Sequence, residues 1–118
     1  MSKKMAITCN GVLPKNLYAA FVLGSSATAA GYEVLMYFTP DAATALKKGE
    51  LEKIKKKGMP DMMALVEGFQ ELDGRILLCE LAFDVNDMTA EELRDGVEIV
   101  GATSFILEIS GAQITFSF

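Results

Sequence analysis

The sequence predicts an α/β fold, a three-layer α/β/α sandwich on a five-stranded parallel sheet. Three observations lead there. Strand-length apolar segments alternate with helical patterns along the chain, as in a sheet covered by helices. One of them, Val34 to Phe38, is apolar almost without interruption, which implies burial on both faces. The 118 residues, 51% hydrophobic and 23% charged, suit one ordered domain over residues 1–118.

The elements follow in order. Met5–Cys9 reads as a buried strand ending at an Asn10-Gly11 turn. Pro14 suits a first helical turn, and the helical pattern runs to Ala30, with Gly31 as its stop. Ala20, Gly24, Ala27 and Gly31 form a small-residue stripe that lets this helix lie close on a sheet. Tyr32–Phe38 is the second strand. Thr39-Pro40 opens a short helix with Thr39 as its cap. Pro60 starts a helix running to about Leu72, in which Met62, Leu65, Val66, Phe69 and Leu72 share one face and Asp61 favours the helix dipole. Asp73-Gly74 ends it. Arg75–Cys79 is the third strand, followed by an irregular or partly helical stretch from Glu80 to Met88. Thr89 and Glu92 form a capping box for a short helix ending near Asp95-Gly96. Val97–Val100 is the fourth strand. Ala102–Ser110 is a helix with Phe105, Ile106 and Ile109 as its apolar stripe. Gln113–Phe118 alternates, with Ile114, Phe116 and Phe118 on one face, and reads as an edge strand.

Composition excludes much chemistry. The chain has no His, no Trp and two Cys. That removes Ser-His-Asp triads, Cys-His dyads, His-ligated zinc and four-thiolate sites. No metal or cofactor is expected. A net charge of −5 argues against nucleic acid as a partner. A mean hydropathy of +0.28 leaves apolar surface for a subunit interface, so a homo-oligomer is expected. No apolar run reaches the ~18 residues of a membrane span. The basic Met1–Lys4 leads only into a short apolar run and does not read as a signal peptide, and the reduced cysteines point to the cytoplasm. Charge is uneven. Lys47–Lys57 holds six lysines and two glutamates, net +4, against −9 for the rest of the chain. The segment reads as a solvated face or as a docking patch for an acidic partner, an anionic ligand or a membrane surface; of these the membrane surface is set aside.

Reactive groups of open α/β sheets gather beyond the carboxyl ends of the strands. Both cysteines are placed there, Cys9 after the first strand and Cys79 after the third. Each is either a small buried hydrophobe or a usable thiol. The polar segment after Cys79 is expected to leave its sulfur exposed, and helix amides nearby would favour the thiolate. Glu80 would oppose this if its carboxylate faced the sulfur. Cys9-Asn10-Gly11 is no phosphate loop. Asp84, Asp87, Glu91, Glu92 and Asp95 cluster without metal-ligand spacing and read as caps and solvated groups.

Around Cys79 the sequence resembles the DsrE/DsrF-like sulfur-relay family, in particular its small stand-alone, peroxiredoxin-like subgroup. The resemblance is carried by Met59-Pro60-Asp61, the helix to Gly74, Arg75–Cys79, Asp84-Val85, Glu92-Leu93 and Asp95–Glu98. Ala29-Ala30-Gly31 and the strand ending Phe38-Thr39 extend it over nearly the whole chain. It implies a three-layer domain with a five-stranded parallel sheet, assembled as a trimer or hexamer, and a persulfide carried on Cys79. Cys9 matches no catalytic position of the family. Related sequences often carry Ser three residues after the cysteine; here Ala82 stands there, so that hydroxyl is missing.

Three functions are weighed. The first is a cytoplasmic sulfur carrier, sulfurtransferase-like, holding a persulfide on Cys79 and serving sulfur-donor and sulfur-acceptor proteins. The second is a dithiol redox protein using Cys9 and Cys79, which requires the first and third strands to be neighbours. The third is a non-catalytic oligomeric ligand-binding module in which Cys79 is buried and inert.

Overall fold

The computed structural model describes residues 3–118. Its five strands are β1 (Lys4–Cys9), β2 (Glu33–Phe38), β3 (Arg75–Cys79), β4 (Val97–Val100) and β5 (Ile114–Ser117). They form one sheet in the order β4-β3-β2-β1-β5, every pair parallel. The longer helices are α1 (Pro14–Ala29) and α2 (Met62–Glu71); α3 (Ala82–Asn86) and α4 (Ala102–Glu108) are short. The five-stranded parallel α/β fold read from the sequence is the fold observed.

Burial follows composition. The interior strands β1, β2 and β3 are largely apolar and mostly buried, while the short β4 and β5 lie at the edges. Parallel strands twist in register, so alternate residues sort onto two faces. One face carries Met5, Ile7, Val34, Met36, Phe38, Ile76 and Leu78 under α1 and α2. There Phe21 of α1 meets Phe38 and, edge-on, Phe69 of α2. Gly24 belongs to the small-residue stripe: a Cβ on it would stand 2.7 Å from the Met36 methyl and 3.2 Å from the Phe69 ring. The stripe therefore serves close packing of helix on sheet.

The other face is thinner. Ala6, Leu35, Tyr37, Leu77 and Cys79 lie under Phe105 of α4, with Ile109 and Ala112 at the margin. Polar contacts pin the far end of α4: Arg75 forks onto Glu98 at 2.8 and 3.0 Å and reaches Glu108 at 2.6 Å. Lys4 donates to the Glu108 carbonyl at 2.7 Å, a cation at a helix C-terminus.

Several local readings are corrected. The segment after Thr39 is a 3₁₀ helix, Pro40–Leu46, and the Thr39 hydroxyl donates to the Cys9 carbonyl at 3.2 Å instead of capping it. Pro60 lies before α2, not in it. Asp61 is the cap, accepting the Ala64 N–H at 3.1 Å, and α2 starts at Met62. The Thr89–Glu92 box forms, with the Thr89 N–H on Glu92 at 2.9 Å, but supports only one 3₁₀ turn, Ala90–Glu92. Glu80–Met88 contains α3, ended by Asp87 in the left-handed region at φ 51°. In α4, Phe105 is buried but Ile106 is 61% exposed, so the inward pair is Phe105 and Ile109.

Candidate functional site

Cys79 is the last residue of β3, and Cys9 the last of β1. Their placement separates them twice. β2 runs between their strands, two spacings of ~4.8 Å, beyond the ~7 Å Cα reach of a disulfide. They also point to opposite faces, Cys9 into the cluster under α1 and Cys79 into the cluster under α4. Both are free thiols. The dithiol reading is overturned, because its condition of neighbouring strands is not met.

Cys9 is fully buried. Its S–H donates to the Gly11 carbonyl at 3.5 Å, and burial pushes its thiol up to about 11. A thiol so placed stays protonated near neutrality and is a poor nucleophile.

Cys79 is 5% exposed, so the polar segment that follows does not uncover the sulfur as the sequence suggests. Cys79 shares its buried cluster with Phe105, the residue that α4 packs onto this face. Its ring stacks on Tyr37 at 4.1 Å between centroids and 7° between planes. The Tyr37 hydroxyl donates to the Val100 carbonyl at 3.2 Å, and Val100 is the β4 partner of Cys79. Burial above all, then the nearness of Cys79 and the charge of Glu80, raise Tyr37 far above the ordinary phenol range. Glu80 itself is exposed, its carboxylate turned over Gly101 at the start of α4, where a Cβ would stand 3.0 Å from it. Ala82 is buried in the first turn of α3. Tyr37 and Phe105 entered the sequence reading only as a strand and a helix hydrophobe. The available signal is parity: Tyr37 is the one residue of β2 that joins an apolar body to a polar tip on the Cys79 face.

Other candidates disperse. Among the described residues no three His, Cys, Asp or Glu side chains converge as a metal site, and the acidic run Asp84–Asp95 does not gather. A surface cavity of about 330 Å³ lies elsewhere, lined by Lys48, Gly49, Glu52, Gln70, Arg94 and Asp95. Its two cations face two carboxylates, and Arg94 already holds Glu52 at 3.2 Å, so it is no anion trap. Within Lys47–Lys57, Lys47 pairs with Glu92 and Lys53 with Glu50. Lys48, Lys55, Lys56 and Lys57 are exposed and have no carboxylate partner among the described residues. No helix of the described residues is long and apolar enough to cross a membrane.

These features define a class: a parallel α/β domain with a cysteine at the carboxyl end of each of two interior strands, one of them, Cys79, clustered with an aromatic pair. Comparison with known proteins is more specific, and the chain belongs to the DsrE/DsrF/DrsH-like family, whose model matches residues 1–73 and 40–116. It is 28% identical over 143 aligned residues to the sulfur carrier protein DsrE2 of Allochromatium vinosum, covering 87% of this chain and 90% of that protein. It is 27% identical over 97 residues to protein MJ0760 of Methanocaldococcus jannaschii, covering 82% of this chain but only 35% of that longer protein. Among solved structures, the ychN protein of E. coli matches with TM-score 0.72 and 21% identity over the whole of both chains. MTH1491 of Methanobacterium thermoautotrophicum matches with TM-score 0.76 and 10% identity over 98% of this chain and 99% of that one. At such identities these two matches establish the fold alone.

Proposed function

We propose that the protein is a sulfur carrier that holds a persulfide on Cys79. The observation that carries this reading is the position of Cys79 at the carboxyl end of β3, in the buried cluster that holds Tyr37, in a chain of this family. The likeness to a relative named as a sulfur carrier supports it. The Cys79 thiolate attacks the outer sulfur of a donor persulfide, R–S–SH. The donor S–S bond breaks, R–S⁻ leaves, and Cys79–S–SH forms without net oxidation. An acceptor thiolate then takes the outer sulfur and Cys79–S⁻ is released. This exchange needs no histidine and no cofactor. Family members that carry a Ser hydroxyl near the sulfur have a group this chain lacks at Ala82. Phe105 must lift for either exchange, so α4 controls access. The chain self-associates through the outward face of α4, where Ile106 and Leu107 are exposed.

Incubation with a persulfide donor adds one sulfur, about 32 Da, to the wild type and none to Cys79→Ser. Uptake by Cys79→Ser at the wild-type level refutes the assignment. The low exposure of Cys79 favours a second reading, an inert packing cysteine in a non-catalytic oligomeric module. A thiol-reactive dye on the native protein separates the two, because an inert Cys79 reacts only after unfolding.

A further inference from the structure

Tyr37 brings a hydroxyl to the buried face of the sheet that Cys79 shares. Its hydroxyl donates to the carbonyl of Val100 on β4, whereas its backbone lies on β2. In the sheet order, β3 runs between them. Val100 is registered with Cys79, and Tyr37 with Leu77. A phenol rooted on β2 that reaches the end of β4 therefore passes over β3 at the level of Cys79, on the face that the cysteine side chain shares. We propose that Tyr37 is the positioning residue for the Cys79 sulfur: its O–H serves the Val100 carbonyl while the sulfur is a thiol and turns to donate to the sulfur once it is an anion, as thiolate or as persulfide. This deepens the carrier reading, and its persulfide half rests on it.

The surroundings suit a donor that stays neutral. Burial and the neighbouring Cys79 and Glu80 hold the phenol proton on, so Tyr37 keeps a hydrogen to give across the range in which thiols titrate. The charged groups around it are few. β3 is followed by Glu80, turned toward Gly101. Glu98 of β4 and Glu108 of α4 are both engaged by Arg75, and Lys4 of β1 is bound at the Glu108 carbonyl. α4 brings Phe105 to the phenol, and β1 brings Thr8, the register partner of Tyr37. The Thr8 hydroxyl is engaged by Ser117, which leaves the Tyr37 hydroxyl to serve an anionic sulfur on this face.

The test is the pH profile of iodoacetamide alkylation, read on the Cys79 peptide by mass. Tyr37→Phe keeps the ring and its stack on Phe105. Its midpoint moves up by about one pH unit, the size of one hydrogen bond to a charged group. An unmoved midpoint overturns the proposal. So does a rate changed by the same factor at every pH, since a merely packing phenol acts that way. Fluorotyrosine incorporated in the wild-type chain gives a second reading that does not depend on how the variant folds. A fluorinated phenol donates more strongly, so the midpoint moves down; no downward shift counts against the assignment. Sulfur uptake measured in parallel keeps the two claims apart. A midpoint that depends on Tyr37 without any uptake sinks the carrier reading and leaves this one standing.

Discussion

Gly74 shows how tightly single residues are fixed. It joins α2 to β3, its N–H donating to the Phe69 carbonyl at 2.9 Å. A Cβ at this position would run into the Phe69 ring, which is fully buried and held edge-on against Phe21. A flexible side chain could move aside; an aromatic ring clamped by a second ring cannot. Gly74→Ala is therefore expected to cost about 1–3 kcal/mol, the range for overpacking a dense core, read as a lower urea midpoint at unchanged slope. The same local physics sets the two cysteines in different surroundings. Cys9 is sealed and protonated, whereas Cys79 keeps a polar neighbour in Tyr37.

α4 is the element on which access depends. It is a short helix, and it covers its face of the sheet chiefly through Phe105. Few buried apolar contacts make for a low local opening cost. Phe105→Ala is expected to raise the alkylation rate of Cys79 in the native protein roughly tenfold for each 1.4 kcal/mol removed from that closure. An unchanged rate, with the variant shown to be folded, means that α4 does not gate the sulfur. Elements with strong periodicity were legible in advance: α1, α2, β2 and β3 lie within a residue or two of where the pattern places them. So do β1, β4, α4 and β5; the short helical turns between them were not legible. Thr39 and Thr89 carry capping chemistry, yet one hydroxyl is taken by the Cys9 carbonyl and the other box closes only a single 3₁₀ turn. The α4 stripe was misread because Ile106 looks like a core residue by hydropathy, and only the direction of the helix against the sheet turns it outward.

At the scale of the whole molecule, surface apolarity and charge point to other chains. Ile106 and Leu107 on α4 are 61% and 72% exposed, side by side on the outward face of the second layer. A second copy covering that face would bury what a monomer leaves wet. Light scattering is expected to give a multiple of the 12.8 kDa chain mass, lowered by Leu107→Glu. A monomer mass for the wild type disproves the self-association proposed here. The lysine segment divides between the two meanings read from the sequence. Lys47 and Lys53 are tied to glutamates of their own surroundings, and the exposed run Lys55–Lys57 stays solvated in an otherwise acidic protein.

By itself the sequence determined the layered parallel α/β class, since alternating strand and helix periods with a doubly apolar β2 admit few other arrangements. It also set both cysteines at strand ends, because strand boundaries follow from the turn residues beside them. Strand order, the face each cysteine takes and the cover over Cys79 were decided only in three dimensions. These depend on pairings between segments far apart in the chain: β2 enters between β1 and β3, and a phenylalanine 26 residues beyond Cys79 joins its buried cluster. Local patterns of hydropathy carry no record of such contacts: parity puts Tyr37 on one face of β2, but that Cys79 shares the face is visible only once the sheet is assembled.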